Sequence, residues 1–210
     1  MTNRACRILV GALLVLTASP SLPARPVIVF FGDSLTAGYG VEPEQAYPAL
    51  ILEMANAAGY DVQVVNAGLS GETTAAGLRR IDWILSRPID IFVLALGGND
   101  GLRGIPVGET KLNLEGILLK VATRYPKAQL VLAGMESPPN MGETFTDTFR
   151  AVFPAVADKR NALLIPFLLE GVGGEKDLNL PDGIHPNPEG HHVVAENVWT
   201  FLQPVIANEK

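Results

Sequence analysis

Three short segments far apart in the chain carry side chains that belong together chemically: Gly32-Asp33-Ser34, Gly98-Asn99-Asp100 and Asp182-Gly183-Ile184-His185. A serine hydroxyl is a weak nucleophile until a base takes its proton. A histidine serves as that base when a carboxylate holds one ring nitrogen and leaves the other free. Ser34, His185 and Asp182 supply the three parts. The chain has only three histidines, and His191 and His192 fall in the last helical stretch, where neighbouring residues face different sides. In Pro181-Asp182-Gly183-Ile184-His185-Pro186 the prolines and the glycine exclude a regular helix. A tight loop is predicted there, folding the Asp182 carboxylate back onto one imidazole nitrogen of His185. Standing alone, that segment is equally an aspartate capping a turn beside a surface histidine; together with Ser34 it implies acyl-ester hydrolysis.

Such chemistry also needs donors aimed at the oxygen that becomes negative in the tetrahedral intermediate. Asn99 stands just past an apolar run, behind Gly97-Gly98, and its side-chain amide can donate where a carboxylate could not. Gly71, in Asn66-Ala67-Gly68-Leu69-Ser70-Gly71-Glu72-Thr73, follows another predicted strand and offers a backbone N–H, as does Ser34 itself. Singly these are weak signals, because Asn and Gly are common in turns; their joint occurrence carries the weight. A glycine-rich segment after a strand also suits phosphate binding. No Gly-Lys-Ser/Thr follows, and no G-x-G-x-x-G is present. The Gly-x-Ser-x-Gly elbow is absent around Ser34 too, so a different serine-hydrolase architecture is required.

The elements that must position these groups alternate along the chain. Strands are predicted at Val27–Phe31, Val62–Val65, Ile91–Leu96, Ala128–Ala133 and Leu163–Ile165. Helices are predicted at Tyr47–Ala58, Thr74–Leu85, Leu112–Arg124, Phe145–Lys159 (through or bent at Pro154) and Glu189–Leu202. A loop rich in Gly, Asp and Pro spans Gly171–Pro188. Strands alternating with helices of this length imply an α/β fold, a three-layer α/β/α sandwich with a parallel sheet. Each catalytic segment falls where a strand ends or a loop opens, the place where open α/β sheets bind ligands.

With 210 residues, 48% of them hydrophobic and 18% charged, the chain suits one compact domain, placed at 26–210. A net charge of −6 with scattered Lys and Arg argues against nucleic acid as a partner. Residues 1–25 read as a secretory signal peptide: Arg4 and Arg7, then the apolar run Ile8–Ala18, then small and turn-forming residues to Ala24. The run is short for a bilayer span, which takes about 20 apolar residues; an uncleaved anchor stays open as the alternative. The only cysteine, Cys6, precedes the run, so the mature protein is expected to lack thiols, disulfides and thiolate metal sites. The expected location is periplasmic or secreted, with no stable membrane anchor once the leader is removed.

Gly32-Asp33-Ser34-Leu35, Gly71, Gly98-Asn99-Asp100 and Asp182-x-x-His185 resemble, in order, the four blocks of the SGNH or GDSL hydrolases, and they span the whole mature chain. The longer stretches Gly32–Tyr39, Ser70–Thr73, Gly97–Gly104 and Asp182–Asn187 are similar to the periplasmic bacterial branch of acyl-CoA thioesterase/lysophospholipases and arylesterases. The resemblance implies a flavodoxin-like fold with strand order 2-1-3-4-5. It implies Ser34 as nucleophile, Asp182 and His185 completing the triad, and Ser34, Gly71 and Asn99 as the oxyanion hole. No cofactor and no metal enters that mechanism. Substrates would be small acyl esters or thioesters, lysophospholipids among them, met by short loops over a shallow cleft. Met135, Pro138 and Met141, past the fourth strand, and Ile184 beside the base are the candidate acyl-binding residues; the 135–141 segment reads equally as an ordinary strand-to-helix loop. Two other readings stay open: a carbohydrate O-acetylesterase, and an inactive binding module on the same fold.

Overall fold

The computed structural model describes residues 25–209. The expected leader, with Cys6, lies outside the described residues apart from Arg25.

Five parallel strands form one sheet in the order β2-β1-β3-β4-β5. They are β1 (Val27–Gly32), β2 (Gln63–Asn66), β3 (Ile91–Ala95), β4 (Gln129–Ala133) and β5 (Leu163–Ile165). β3 is buried at every residue, as expected of a parallel strand covered on both faces. Ile28 pairs with Val64 on one side and Ile91 on the other, and Gly32 pairs with Ala95. The carboxyl ends of β1 and β3 are thereby level, which brings Ser34 and Asn99 to one edge.

The helices are α1 (Ser34–Ala37), α2 (Tyr47–Ala57), α3 (Thr74–Ile84), α4 (Gly98–Leu102), α5 (Val107–Arg124), α6 (Glu143–Arg160) and α7 (Pro188–Ala207). α2 packs on α7, while α3 packs on α5 and α5 on α6. The arrangement is the expected three-layer sandwich, its core built on Phe30, Phe31, Phe92, Phe149, Phe153 and Tyr47.

Two boundaries depart from the sequence expectation by more than two residues. α5 begins at Val107 rather than Leu112, because buried Thr110 reaches the Asp100 carboxylate at 3.3 Å and draws the polar first turn into the fold. α7 continues past Leu202 to Ala207, through Pro204. That proline is exposed, so the carbonyl it leaves unpaired meets water, and buried Leu202 and Ile206 keep the helix on the core. The short α1 and α4 lie below the length at which helical periodicity shows, and they are the two that carry Ser34 and Asn99.

Candidate active site

Ser34 opens α1 directly after β1. Asp33 caps that helix: its Oδ1 accepts the Leu35 N–H at 3.0 Å. The first N–H groups of a helix have no partner within it, so the Ser34 N–H is available at the sheet edge beside its own hydroxyl. The residue is 8% exposed, open on the side where the loops gather.

The loop after β5 brings in the base. Asn179 pins it, with Nδ2 donating to the carbonyls of Val172 at 2.6 Å and Glu175 at 2.8 Å. Leu180 N–H donates to the His185 carbonyl at 2.7 Å, and Asn187 caps α7 through the Gly190 N–H at 2.9 Å. Between them Gly183 turns at φ 70°, a conformation glycine adopts without strain. The turn folds Asp182 back as the sequence predicts. Its Oδ1 accepts the N–H groups of Ile184 at 2.9 Å and His185 at 3.0 Å, and Oδ2 lies 2.7 Å from His185 Nδ1. Those two backbone N–H groups, ahead of the imidazole, hold the Asp182 carboxyl down at about 2. An ionised carboxylate on Nδ1 places the ring proton there and leaves Nε2 as acceptor. His185 Nε2 stands 2.9 Å from Ser34 Oγ, so a continuous Asp182–His185–Ser34 relay is present.

Asn99, on α4, directs its amide with two neighbours. Nδ2 donates to Asp33 Oδ2 at 3.1 Å, and Oδ1 accepts from Arg103 Nη2 at 3.4 Å. The same guanidinium nitrogen donates to the Gly71 carbonyl at 3.1 Å, which sets Gly71 beside Asn99. One Asn99 N–H is thus fixed on Asp33 and the other is left to donate into the cleft. Asp33 is 1% exposed, and burial lifts its carboxyl to about 6 against the opposing pull of the Leu35 N–H and the Asn99 amide. Asp100 organises the layer beneath. It accepts from Thr74 N–H at 2.9 Å and from the Thr74 and Thr110 hydroxyls, tying the starts of α3 and α5 to α4. Among the described residues no group of three or more His, Cys, Asp or Glu is arranged to hold a metal ion.

A cavity of about 630 Å3 opens from Ser34, Asn99 and His185. Its apolar walls are Leu102, Met135, Pro138, Phe167, Leu169 and Ile184. Met135, Pro138 and Ile184, three of the four candidate acyl-binding residues, line this cavity. Met141 does not: it ends a short 3-10 turn outside the cavity, with its methyl group against Gly104. Phe167 and Leu169 are wall residues that sequence reasoning missed, because only the fold carries the segment after β5 back across the site. Asp33 and Arg103 lay inside quoted motifs without a role, since their partners are distant in sequence or unremarkable in type.

A doubly wound parallel sheet that presents a Ser–His–Asp relay, flanking N–H donors and an apolar cleft at its carboxyl edge has the form of an acyl hydrolase. Residues 30–193 match the model of the GDSL-like lipase/acylhydrolase family. The chain is 37% identical to the esterase TesA of Pseudomonas aeruginosa over 201 residues, 95% of this chain and 98% of that protein. It is 34% identical to thioesterase 1/protease 1/lysophospholipase L1 of Escherichia coli over 187 residues, 89% of this chain and 88% of that one. The crystal structure of TesA superposes with a TM-score of 0.81 at 38% identity, covering 85% of this chain and 99% of that chain. The protein belongs to the GDSL-like lipase/acylhydrolase family and is a carboxylic ester hydrolase.

Proposed function

We propose that the protein hydrolyses esters and thioesters of apolar acyl groups, lysophospholipids included, through a covalent acyl-enzyme on Ser34. The single observation that carries this reading is the relay, 2.7 Å from Asp182 Oδ2 to His185 Nδ1 and 2.9 Å from His185 Nε2 to Ser34 Oγ. The acyl chain enters the cavity. As Ser34 Oγ bonds to the carbonyl carbon, its proton passes to His185 Nε2, and Asp182 stabilises the imidazolium. The carbonyl oxygen, now negative, accepts from the N–H groups of Ser34 and Gly71 and from the free Asn99 N–H. Collapse breaks the bond to the alcohol or thiol, which leaves with the His185 proton. Water, deprotonated by His185, then attacks the acyl-enzyme, and the acid departs with Ser34 restored. The names of the relatives, esterase and thioesterase/lysophospholipase, support both bond types, and a wall of Leu, Met, Pro, Phe and Ile suits an acyl chain better than a sugar ring.

The segment from Arg4 to Ala24 supports export of a single domain beginning near residue 26. Among the described residues no helix is long and apolar enough to cross a membrane.

The test is nucleophile labelling. An organophosphonate is expected to add to Ser34 alone, and Ser34→Ala to abolish turnover while melting as the parent does, since the change removes a single small hydroxyl at the mouth of the cavity and no apolar packing. Asp182→Asn is expected to lower kcat by roughly 10⁴, the scale of lost tautomer control. Adduct at another serine, or near-parental activity in either variant, overturns the assignment.

A further inference from the structure

The Gly71 N–H comes from a loop rather than from a strand or a helix, so its direction has to be fixed from outside the loop. After β2 the chain is buried at Ala67 and again at Glu72, and between them Leu69, Ser70 and Gly71 form an exposed crest. One side chain holds both feet of that crest. Arg80 of α3 sets Nε on Glu72 Oε1 at 2.7 Å and Nη2 on Glu72 Oε2, and the same Nη2 donates to the Ala67 carbonyl at 2.9 Å. The guanidinium lies over the Phe31 ring, 4.2 Å from its centre, and Phe31 stands in β1, the strand that leads into Ser34. The Glu72 side chain is 1% exposed and that of Arg80 19%. A two-pronged pair shielded to this degree holds one geometry, which a solvated pair does not.

The geometry points to Arg80 and Glu72 as positioning residues of the oxyanion hole: the pair fixes the crest against β1, and with it the direction of the Gly71 N–H relative to Ser34 Oγ. The remaining ties on the crest do not replace it. Leu69 N–H donates to the Gly32 carbonyl at 2.9 Å, ahead of Gly71, and Glu72 N–H to the Leu69 carbonyl at 3.1 Å, which closes the crest only on itself. Arg103, which reaches the Gly71 carbonyl, is an exposed residue. Gly71 sits at φ 78° and has no Cβ to resist rotation, so movement at Glu72 is taken up there and turns the N–H. Neither Arg80 nor Glu72 lines the cavity. Their loss therefore falls on the transition state and leaves binding of the acyl group in place. The assignment rests on the reading of Gly71 as an oxyanion donor.

The experiment compares the wild type with Glu72→Gln, Arg80→Lys, the paired variant Arg80→Met with Glu72→Leu, and Asn99→Ala. Each is read for kcat and KM on a hexanoate ester, for inhibition by hexylboronic acid and for melting temperature. Arg80→Lys keeps the charge but loses the planar fork. In it and in Glu72→Gln kcat should fall about 10- to 100-fold with KM nearly unmoved, the scale of a misplaced catalytic group. Boronic acid affinity should fall by a similar factor, because its tetrahedral adduct on Ser34 sets an oxygen where the oxyanion forms. The paired variant leaves no orphaned charge, so it should melt nearer the parent than Glu72→Gln does while keeping the kinetic loss. Parental kcat and boronic acid affinity in the folded variants would make the pair a support of the fold alone and overturn the assignment. So would a loss confined to KM. Asn99→Ala reports the oxyanion hole independently, since the Asn99 amide meets Asp33 and Arg103. If it moves neither kcat nor boronic acid affinity, the oxyanion reading itself falls; a loss there with the Arg80 and Glu72 variants unmoved brings down their positioning role and nothing else.

Discussion

Asp33 touches no reacting atom in the proposed mechanism, yet it sets the direction of one that does. Its Oδ2 takes one Asn99 N–H at 3.1 Å while Arg103 meets the amide oxygen, so the amide has one orientation and one free N–H. Asp33→Asn removes a buried charge but sets an NH2 group against either the Asn99 amide or the Leu35 N–H. The expected result is a kcat lowered about 10- to 100-fold with KM nearly unmoved, since the oxyanion exists only past the ground state. The melting temperature at neutral pH should hold or rise, because the carboxylate lifted to about 6 is held ionised there against its burial. Early melting with normal kcat would make Asp33 a helix cap alone, worth about 1 kcal/mol. Removing the donor by Asn99→Ala should cost roughly 10² to 10³ in kcat, so the two variants read the same oxyanion contact from opposite ends. Ser34, Asp182 and His185 were legible in the sequence because so few residue types serve as nucleophile and base and the last two are three positions apart. Asp33 was not, because its partner is 66 residues away and meets it only through the pairing of β1 with β3.

At the scale of elements, the turn from β3 into α4 decides where Asn99 points. Gly97 sits at φ 124°, and a Cβ there would come within 3.0 Å of the Phe153 ring. Gly97→Ala therefore meets both a backbone conformation that L-residues avoid and an aromatic core that cannot yield. A loss of about 1 to 3 kcal/mol in unfolding free energy is expected. A shift of α4 should accompany it, and misplacement by about 1 Å can cost 100-fold in rate. Denaturant unfolding and kcat on one sample check both; a destabilised variant with unchanged kcat would show that the strain is absorbed behind α4 rather than passed to Asn99. The strands were legible as short apolar runs, and the longer helices by their periodicity. α1 and α4 were not, since a helix of four or five residues displays no full repeat, and the start of α5 depends on a bond from Thr110 to Asp100 that no local pattern announces.

Over the whole molecule, alternation of strand and helix was enough to imply three layers, but the strand order came only through the family resemblance, because the direction of each crossover is not written in periodicity. The finished fold buries two titratable groups whose pH dependences oppose each other. His191 on α7 accepts the Tyr47 N–H of α2 at 3.3 Å, and burial, reinforced by the like charge of His185, lowers it from 6.5 to about 4. The unfolded chain then binds a proton that the folded one refuses, so stability from His191 is complete above 6.5 and is lost as pH falls toward 4. Asp33, raised by burial from 3.8 to about 6, does the reverse: the folded protein holds the proton more tightly, and stability is regained as pH falls from 6 toward 3.8. Each slope is about 1.4 kcal/mol per pH unit. Between pH 6 and 4 they cancel, and the parent protein should lose little stability between pH 6.5 and 5. Asp33→Asn leaves His191 unopposed and should lose about 2 kcal/mol over that interval. His191→Phe leaves Asp33 unopposed and should gain about 1 kcal/mol instead. Urea midpoints of the three proteins at the two pH values decide the matter, and parallel slopes in all three would show that neither group titrates as its burial requires.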